Sequence, residues 1–166
     1  MGESVETLVA TIGQQLVARG EFVAVAESAA GGRISDLLTD RAGCSAWYAG
    51  GAVVYSAASK RDMTGLSLEE LREHGAVSAE TALSLAEGAS RRFAAAWGIG
   101  ETGVAGPQTG RRSSKPAGLA YVAVAGPEGI RRWVEVNTGL DSRAENKQQF
   151  AIAALRLLAE ELSKEP

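Results

Sequence analysis

The chain has 166 residues, 45% hydrophobic and 22% charged, with 17 basic against 20 acidic side chains and a net charge of −3. That length suits one domain with a real core, expected to span 1–166, and the balance lacks the basic field that gathers nucleic acid. With aromatics at 5%, one cysteine (Cys44) and one histidine (His74), the composition argues against a base-stacking platform, a disulfide framework or a Cys/His zinc site. It has no run of ~18 apolar residues, so no membrane span is expected. The N-terminus is acidic and amphipathic rather than basic and then apolar, which predicts a cytoplasmic chain without a signal peptide.

Val5, Leu8, Val9, Ile12, Leu16 and Val17 recur at helical spacing, and Gly20 ends that helix. Phe22 to Ala26 reads as a short buried strand, followed by Glu27-Ser28-Ala29-Ala30-Gly31-Gly32 and a helical stretch through Leu37 and Leu38. Gly50 to Tyr55 is a second strand. Ser67 and Glu70 form a capping box for a short helix stopped by Gly75. Ser78 caps another, with Leu83, Ala86, Ala89 and Phe93 inward. Ile99 to Ala105 is extended and runs into Gly106-Pro107 and a basic loop containing Arg111, Arg112 and Lys115. Gly118–Ala125 and Ile130–Val136 predict a hairpin, and Ser142 with Glu145 caps a last helix reaching about Leu162. Early alternation of helix and strand with a closing hairpin predicts a three-layer α/β/α sandwich around a mixed, mostly parallel sheet.

Chemistry can sit at three junctions. Ser28 ends a strand ahead of Gly31 and Gly32, where backbone approaches a ligand closely and a helix start offers N–H groups. Ser28 reads equally as a plain helix cap. Thr102-Gly103-Val104-Ala105-Gly106 is nearly bare of side chains, which suits either a backbone-lined anion pocket or an ordinary turn. Lys60 follows the second strand in an apolar segment; dehydrated there it becomes a base for a hydroxyl, and solvated it is one more surface lysine. Ser45 is a helix cap or a second hydroxyl of the pocket. Arg143 and Lys147 are four residues apart at the start of the last helix, where cations oppose the helix dipole unless an anion compensates. His74 reads as structural, and Cys44 has no evident histidine partner.

Taken in order, Ala26–Gly32, Gly50–Ser56, Lys60, His74–Ser78, Thr102–Pro107 and Lys115–Gly118 resemble the CinA C-terminal domain family, over about residues 5 to 160. That family includes nicotinamide mononucleotide amidohydrolases. The resemblance implies the mixed-sheet α/β/α fold, a pyridine nucleotide as ligand, no metal or other cofactor, a homodimer, and hydrolysis of the carboxamide by a Ser/Lys pair. It implies Lys60 as general base with Tyr55 ahead of it, and Ser28 and Ser45 as the two serines of the pocket, either of which is the nucleophile. Gly31, Gly32, Thr102, Gly103, Ala105, Gly106 and Arg143 match positions that hold the substrate. The chain departs from the pattern in three places. Ala29-Ala30 replaces the usual Cys-Thr after Ser28, Glu101 stands where a small residue is common, and Leu140-Asp141-Ser142-Arg143 replaces Gly-Asp-Arg. These departures support an alternative reading: a nucleotide-binding or interaction module that kept the pocket and lost turnover.

Overall fold

A computed structural model describes residues 2–107 and 114–164; Arg111 and Arg112 of the basic loop lie outside the described residues. In chain order the elements are α1 (Val5–Arg19), β1 (Val23–Glu27), α2 (Arg33–Thr39), β2 (Tyr48–Val53), α3 (Ala57–Thr64) and α4 (Leu68–His74). They continue with α5 (Ala79–Arg92), β3 (Trp97–Val104), β4 (Leu119–Gly126), β5 (Ile130–Asn137) and α6 (Arg143–Ser163). Among the described residues the strands form one sheet in the order β2-β1-β3-β4-β5. β1 is parallel to β2 and β3, and β4 is antiparallel to β3 and β5. All strands but β4 therefore point the same way.

The helix ends follow from local chemistry. The side chains of Ser4, Ser67, Ser78 and Ser142 accept N–H bonds at the starts of α1, α4, α5 and α6. Gly20 closes α1 at φ 66°, a left-handed conformation that glycine adopts without steric cost. Two expectations shift. β2 begins at Tyr48 and ends at Val53, because Ser56 already caps α3 and turns the chain. On α5 the deeply buried leucine is Leu85, with Leu83 only half-buried, because Ala82, Leu85 and Ala89 make the stripe that faces the sheet.

The two faces of the sheet differ in size. β1 reads Val23-Ala24-Val25-Ala26 and β3 reads Trp97-Gly98-Ile99-Gly100, so side chains of alternate size point to opposite faces. Val23, Val25, Trp97 and Ile99 join Ile12, Leu16, Ile34, Leu38, Leu155 and Leu158 in a core beneath α1, α2 and α6. The opposite face is alanine and glycine, and α5 lies directly on it. A Cβ at Gly98 would run into the Ala86 carbonyl, and one at Gly100 into the Ala82 carbonyl.

That close approach generates a test. Gly100→Ala forces α5 off the sheet and is expected to lower stability by about 1–3 kcal/mol, the usual cost of overpacking, read from the urea midpoint. An unchanged midpoint would show that α5 has room to spare.

Candidate functional site

The site gathers at the C-terminal ends of β1, β2 and β3, the position at which open α/β sheets bind ligands. Glu27, the last residue of β1, is the register partner of Glu101 in the middle of β3, and both are fully buried. Glu27 Oε1 accepts from the N–H groups of Gly32 (2.7 Å) and Ile34 (3.1 Å), and its Oε2 accepts from the backbone N–H and the hydroxyl of Ser35 (3.0 Å each). It thereby supplies the acceptor that the start of α2 lacks, since Gly32 caps that helix without a side chain. Glu101 Oε2 accepts the backbone N–H of Ser28 and of Ala30, each at 2.9 Å. Its Oε1 is buried without a hydrogen-bond partner.

These bonds change the expected role of the Ser28–Gly32 loop. Its glycines were expected to offer free N–H groups to a bound anion. Instead Gly32 N–H is held by Glu27, Gly31 N–H by the Ser28 carbonyl, and Ala30 N–H by Glu101. The loop is shaped from within, by side chains. Gly31 and Gly32 remain at the mouth, both at positive φ, with the Lys147 amine beside Gly31. With Ala30, Arg33, Asp36 and Lys147 they line an open depression of about 350 Å³. A larger hollow of about 770 Å³ between α1 and the end of α2 holds none of the candidate catalytic or substrate-binding residues.

Lys60 is buried on α3, 7% exposed, and its amine donates to the Tyr55 carbonyl at 3.1 Å. Burial pushes the amine below its ordinary 10.5, while the charge of Glu101 pulls the other way. Burial is also the main cause lifting the Glu101 carboxyl from 4.5 to about 7; the Ala30 and Ser28 N–H bonds oppose it, Glu27 adds to the rise, and Lys60 offsets it. Ser28 is buried nearby, its N–H on Glu101. The Tyr55 ring is 60% exposed, so it does not bury Lys60; its hydroxyl accepts from Arg143 at 2.9 Å. Arg143 also donates to the Gly106 carbonyl at 2.8 Å, tying the β2–α3, β3–β4 and α6 segments together. Thr102 is buried with its hydroxyl on the Ala76 carbonyl (2.6 Å), Gly103 packs against Ala120 of β4, and Ala105 is buried with its carbonyl accepting from Asn146 (2.9 Å).

Ser45 is elsewhere. It sits exposed in a 3₁₀ turn, Cys44–Ala46, just before β2, whereas Lys60 follows β2. The strand spans five residue steps, ~17 Å at ~3.3 Å each, so one chain does not bring Ser45 to Lys60. Among the described residues no group of three His, Cys, Asp or Glu side chains is placed to hold a metal ion. No described helix is long and apolar enough to cross a membrane.

A family model of the CinA C-terminal domain matches residues 5–162. The chain belongs to that family. A CinA-like protein of Anaeromyxobacter dehalogenans is 43% identical over 157 residues, which is 95% of this chain but 38% of that relative. One from Synechococcus elongatus is 41% identical over 136 residues, 80% of this chain and 32% of the relative. The chain thus spans about a third to two fifths of the length of these curated relatives. The crystal structure of competence/damage-inducible protein CihA from Agrobacterium tumefaciens superposes with a TM-score of 0.89 at 36% identity, covering 99% of this chain and 98% of that one. That of the competence/damage-inducible protein ComA from Klebsiella pneumoniae gives 0.90 at 27%, covering 99% and 100%. The α/β fold with its mixed sheet is the CinA fold.

Three residues of this CinA-family site escaped the sequence reading. Glu27 was read only as the first residue after the strand; the signal was a carboxylate just ahead of a helix whose own cap is glycine. Arg33 flanks the depression as a second cation beside Lys147. Asn146 is fully buried and pins the loop, donating to the Ala105 and Leu140 carbonyls at 2.9 and 3.0 Å and meeting the Thr138 hydroxyl with its oxygen.

Glu101 carries a stability prediction. The folded carboxyl keeps its proton up to about pH 7, and the unfolded one releases it near 4.5. In that window the folded state binds more protons, so the contribution is fully present at low pH and is lost as pH rises through the window, by roughly 3 kcal/mol. Glu101→Gln keeps an oxygen for the two N–H groups without the charge. It is expected to melt at a higher temperature than wild type at about pH 8 and to lose most of the difference at about pH 5. Parallel melting-temperature profiles for the two proteins would assign the effect to another group.

Proposed function

We propose that this domain is an amidohydrolase that converts nicotinamide mononucleotide to nicotinate mononucleotide and ammonia through a serine and Lys60. The observation that carries the reading is Lys60: a lysine buried at the ligand end of the sheet, its pKa lowered by desolvation, beside loops built from small residues. A neutral Lys60 amine takes the proton of a serine hydroxyl as the oxygen attacks the carboxamide carbon. The tetrahedral intermediate collapses by breaking the C–N bond, and the Lys60 ammonium returns the proton so that ammonia leaves. Water, deprotonated by the same amine, then cleaves the acyl-serine ester and frees the carboxylate. Arg33, Lys147 and Arg143 supply the positive charge that a 5′-phosphate needs, from side chains in place of the occupied loop N–H groups.

One observation favours a second reading, a binding module without turnover. The loop after Ser28 spends its N–H groups on Glu27 and Glu101, leaving fewer donors for a tetrahedral oxyanion. Ammonia release from purified protein given nicotinamide mononucleotide separates the two. Stabilisation by the nucleotide in a thermal melt without ammonia is the outcome that supports the module.

Under the enzyme reading, only the neutral amine is active, so turnover rises with pH along a limb whose midpoint lies below 10.5. Lys60→Arg keeps the charge but cannot deprotonate in that range, and should lose a factor of ~10²–10⁴ in kcat. Glu101→Gln removes the charge that raises the lysine, so the limb should move to lower pH. More than about a tenth of wild-type turnover in Lys60→Arg, well above the general-base expectation, would reduce Lys60 to an electrostatic anchor.

A further inference from the structure

β5 forms one edge of the sheet, and each of its charged side chains is answered within its own chain. Arg131 pairs with Glu87 at 2.7 Å, Arg132 with Glu161 at 3.8 Å, and Glu135 accepts from the Tyr121 hydroxyl at 3.0 Å. Unpaired charges along an edge keep other chains away; paired ones do not. β5 is also regular. Its eight residues pair with β4 in unbroken register. Among the described residues no backbone hydrogen bond beyond that ladder and its flanking turns involves β5. In an antiparallel ladder alternate residues turn their N–H and C=O groups away from the neighbour, so β5 carries an outward row of donors and acceptors.

Beside that row runs an open groove of about 350 Å³ between β5 and α6. Val134, Val136, Ala153 and Leu157 give it an apolar floor, and Arg156 and Glu160 stand exposed on its rim. Those two side chains have no ion-pair or hydrogen-bond partner among the described residues, nor do they bridge each other. Arg ahead of Glu at a four-residue spacing is the less favourable order for a helix pair. Only a polypeptide fits all of this, because its main chain continues the ladder while alternate side chains enter the groove. The rim charges also fix the order of its side chains. Thr138 meets Asn146 and Arg132 meets Glu161, so α6 runs against β5, with Arg156 towards Val136 and Glu160 towards Arg132. An antiparallel guest strand therefore presents to the groove an acid, two apolar residues and a base, in that order. A second copy does not fit. With its helices on the same side, its Val134 and Val136 already lie beneath its own α6. Turned over, its β5 reads Arg131, Trp133, Glu135, with base and acid in reverse order.

We infer that the β5–α6 groove receives an extended segment of another protein as an antiparallel strand added to the five-stranded sheet. That segment carries an acidic residue for Arg156, two apolar residues at alternate positions for the floor, and a basic residue for Glu160. Trp133, 46% exposed on the other face of β5, packs against the intervening side chains of the guest. The inference does not rest on the amidohydrolase reading.

The probe is an acetylated, amidated peptide, Glu-Thr-Val-Thr-Val-Thr-Lys, titrated into ¹⁵N-labelled protein. The expected result is a set of saturating amide shifts confined to β5, its neighbour β4 and the groove side of α6. Exchanging the Glu and Lys of the peptide should weaken binding by about threefold or more, and so should Arg156→Glu with the original peptide. Ala153→Leu fills the groove from the helix without touching the edge backbone, and should weaken binding by about tenfold or more. Arg156→Glu lies on the exposed rim and carries the test alone if Ala153→Leu melts early. Methylating alternate backbone nitrogens of the peptide should abolish binding for one of the two alternating sets and spare the other. No shift at about 1 mM peptide, shifts centred elsewhere, or binding indifferent to both variants would overturn the inference. So would β5 amides whose protection from exchange, without peptide, grows with protein concentration, because a second copy would then hold the edge.

Discussion

Two carboxylates buried side by side, Glu27 at the end of β1 and Glu101 beside it in β3, are the constraint on which the rest of the site depends. Burying a carboxylate is expensive unless donors surround it. Here the donors are the backbone N–H groups of the loop that must be shaped, so the expense and the ordering are the same event. Glu27 seats the first turn of α2, and Glu101 draws Ser28 and Ala30 against the sheet. The arrangement resembles an anion held at a helix N-terminus, with the anion supplied by the chain itself. With those N–H groups occupied, Arg33 and Lys147 are the cations that line the depression at the loop's mouth.

The same pair sets the proton balance. Glu101 is crowded by Glu27 and desolvated, so its carboxyl rises to about 7, and whatever charge it carries opposes the desolvation of Lys60. A small residue at position 101 would leave Lys60 with one influence fewer. The packing beneath contributes too. Because Gly98 and Gly100 let α5 rest on the sheet, α3, which packs on α5, is held close enough to bury the lysine it carries. The unequal faces of the sheet and the chemistry at its end are therefore one design.

Much of the fold was legible because it is written locally. Ser67 with Glu70, Ser78, Ser142 and the glycines at 20 and 75 fix helix ends through bonds between residues three or four apart, which spacing alone reveals. The hairpin of β4 and β5 was equally plain from two Val-rich runs around a Gly-Pro-Glu-Gly turn. What spacing cannot show is register. That Glu27 faces Glu101, across 74 positions of chain, follows from the parallel pairing of β1 with β3, and this pairing turned apparently free loop N–H groups into occupied ones. Ser45 illustrates the same limit. It lies 15 positions from Lys60 and looks adjacent in sequence, but β2 runs between them and separates the two along the sheet.

The central claim is that burial lowers the pKa of the Lys60 amine and so favours its neutral form. The most direct measurement is a pH titration of the Lys60 side chain by NMR, following the ¹³Cε shift in protein labelled at lysine, with Lys60→Arg to assign the signal. The account predicts a midpoint clearly below 10.5, set apart from the exposed lysines. A midpoint at or above 10.5 would mean that the lysine stays charged, and the account of this site as built around a neutral base would be contradicted.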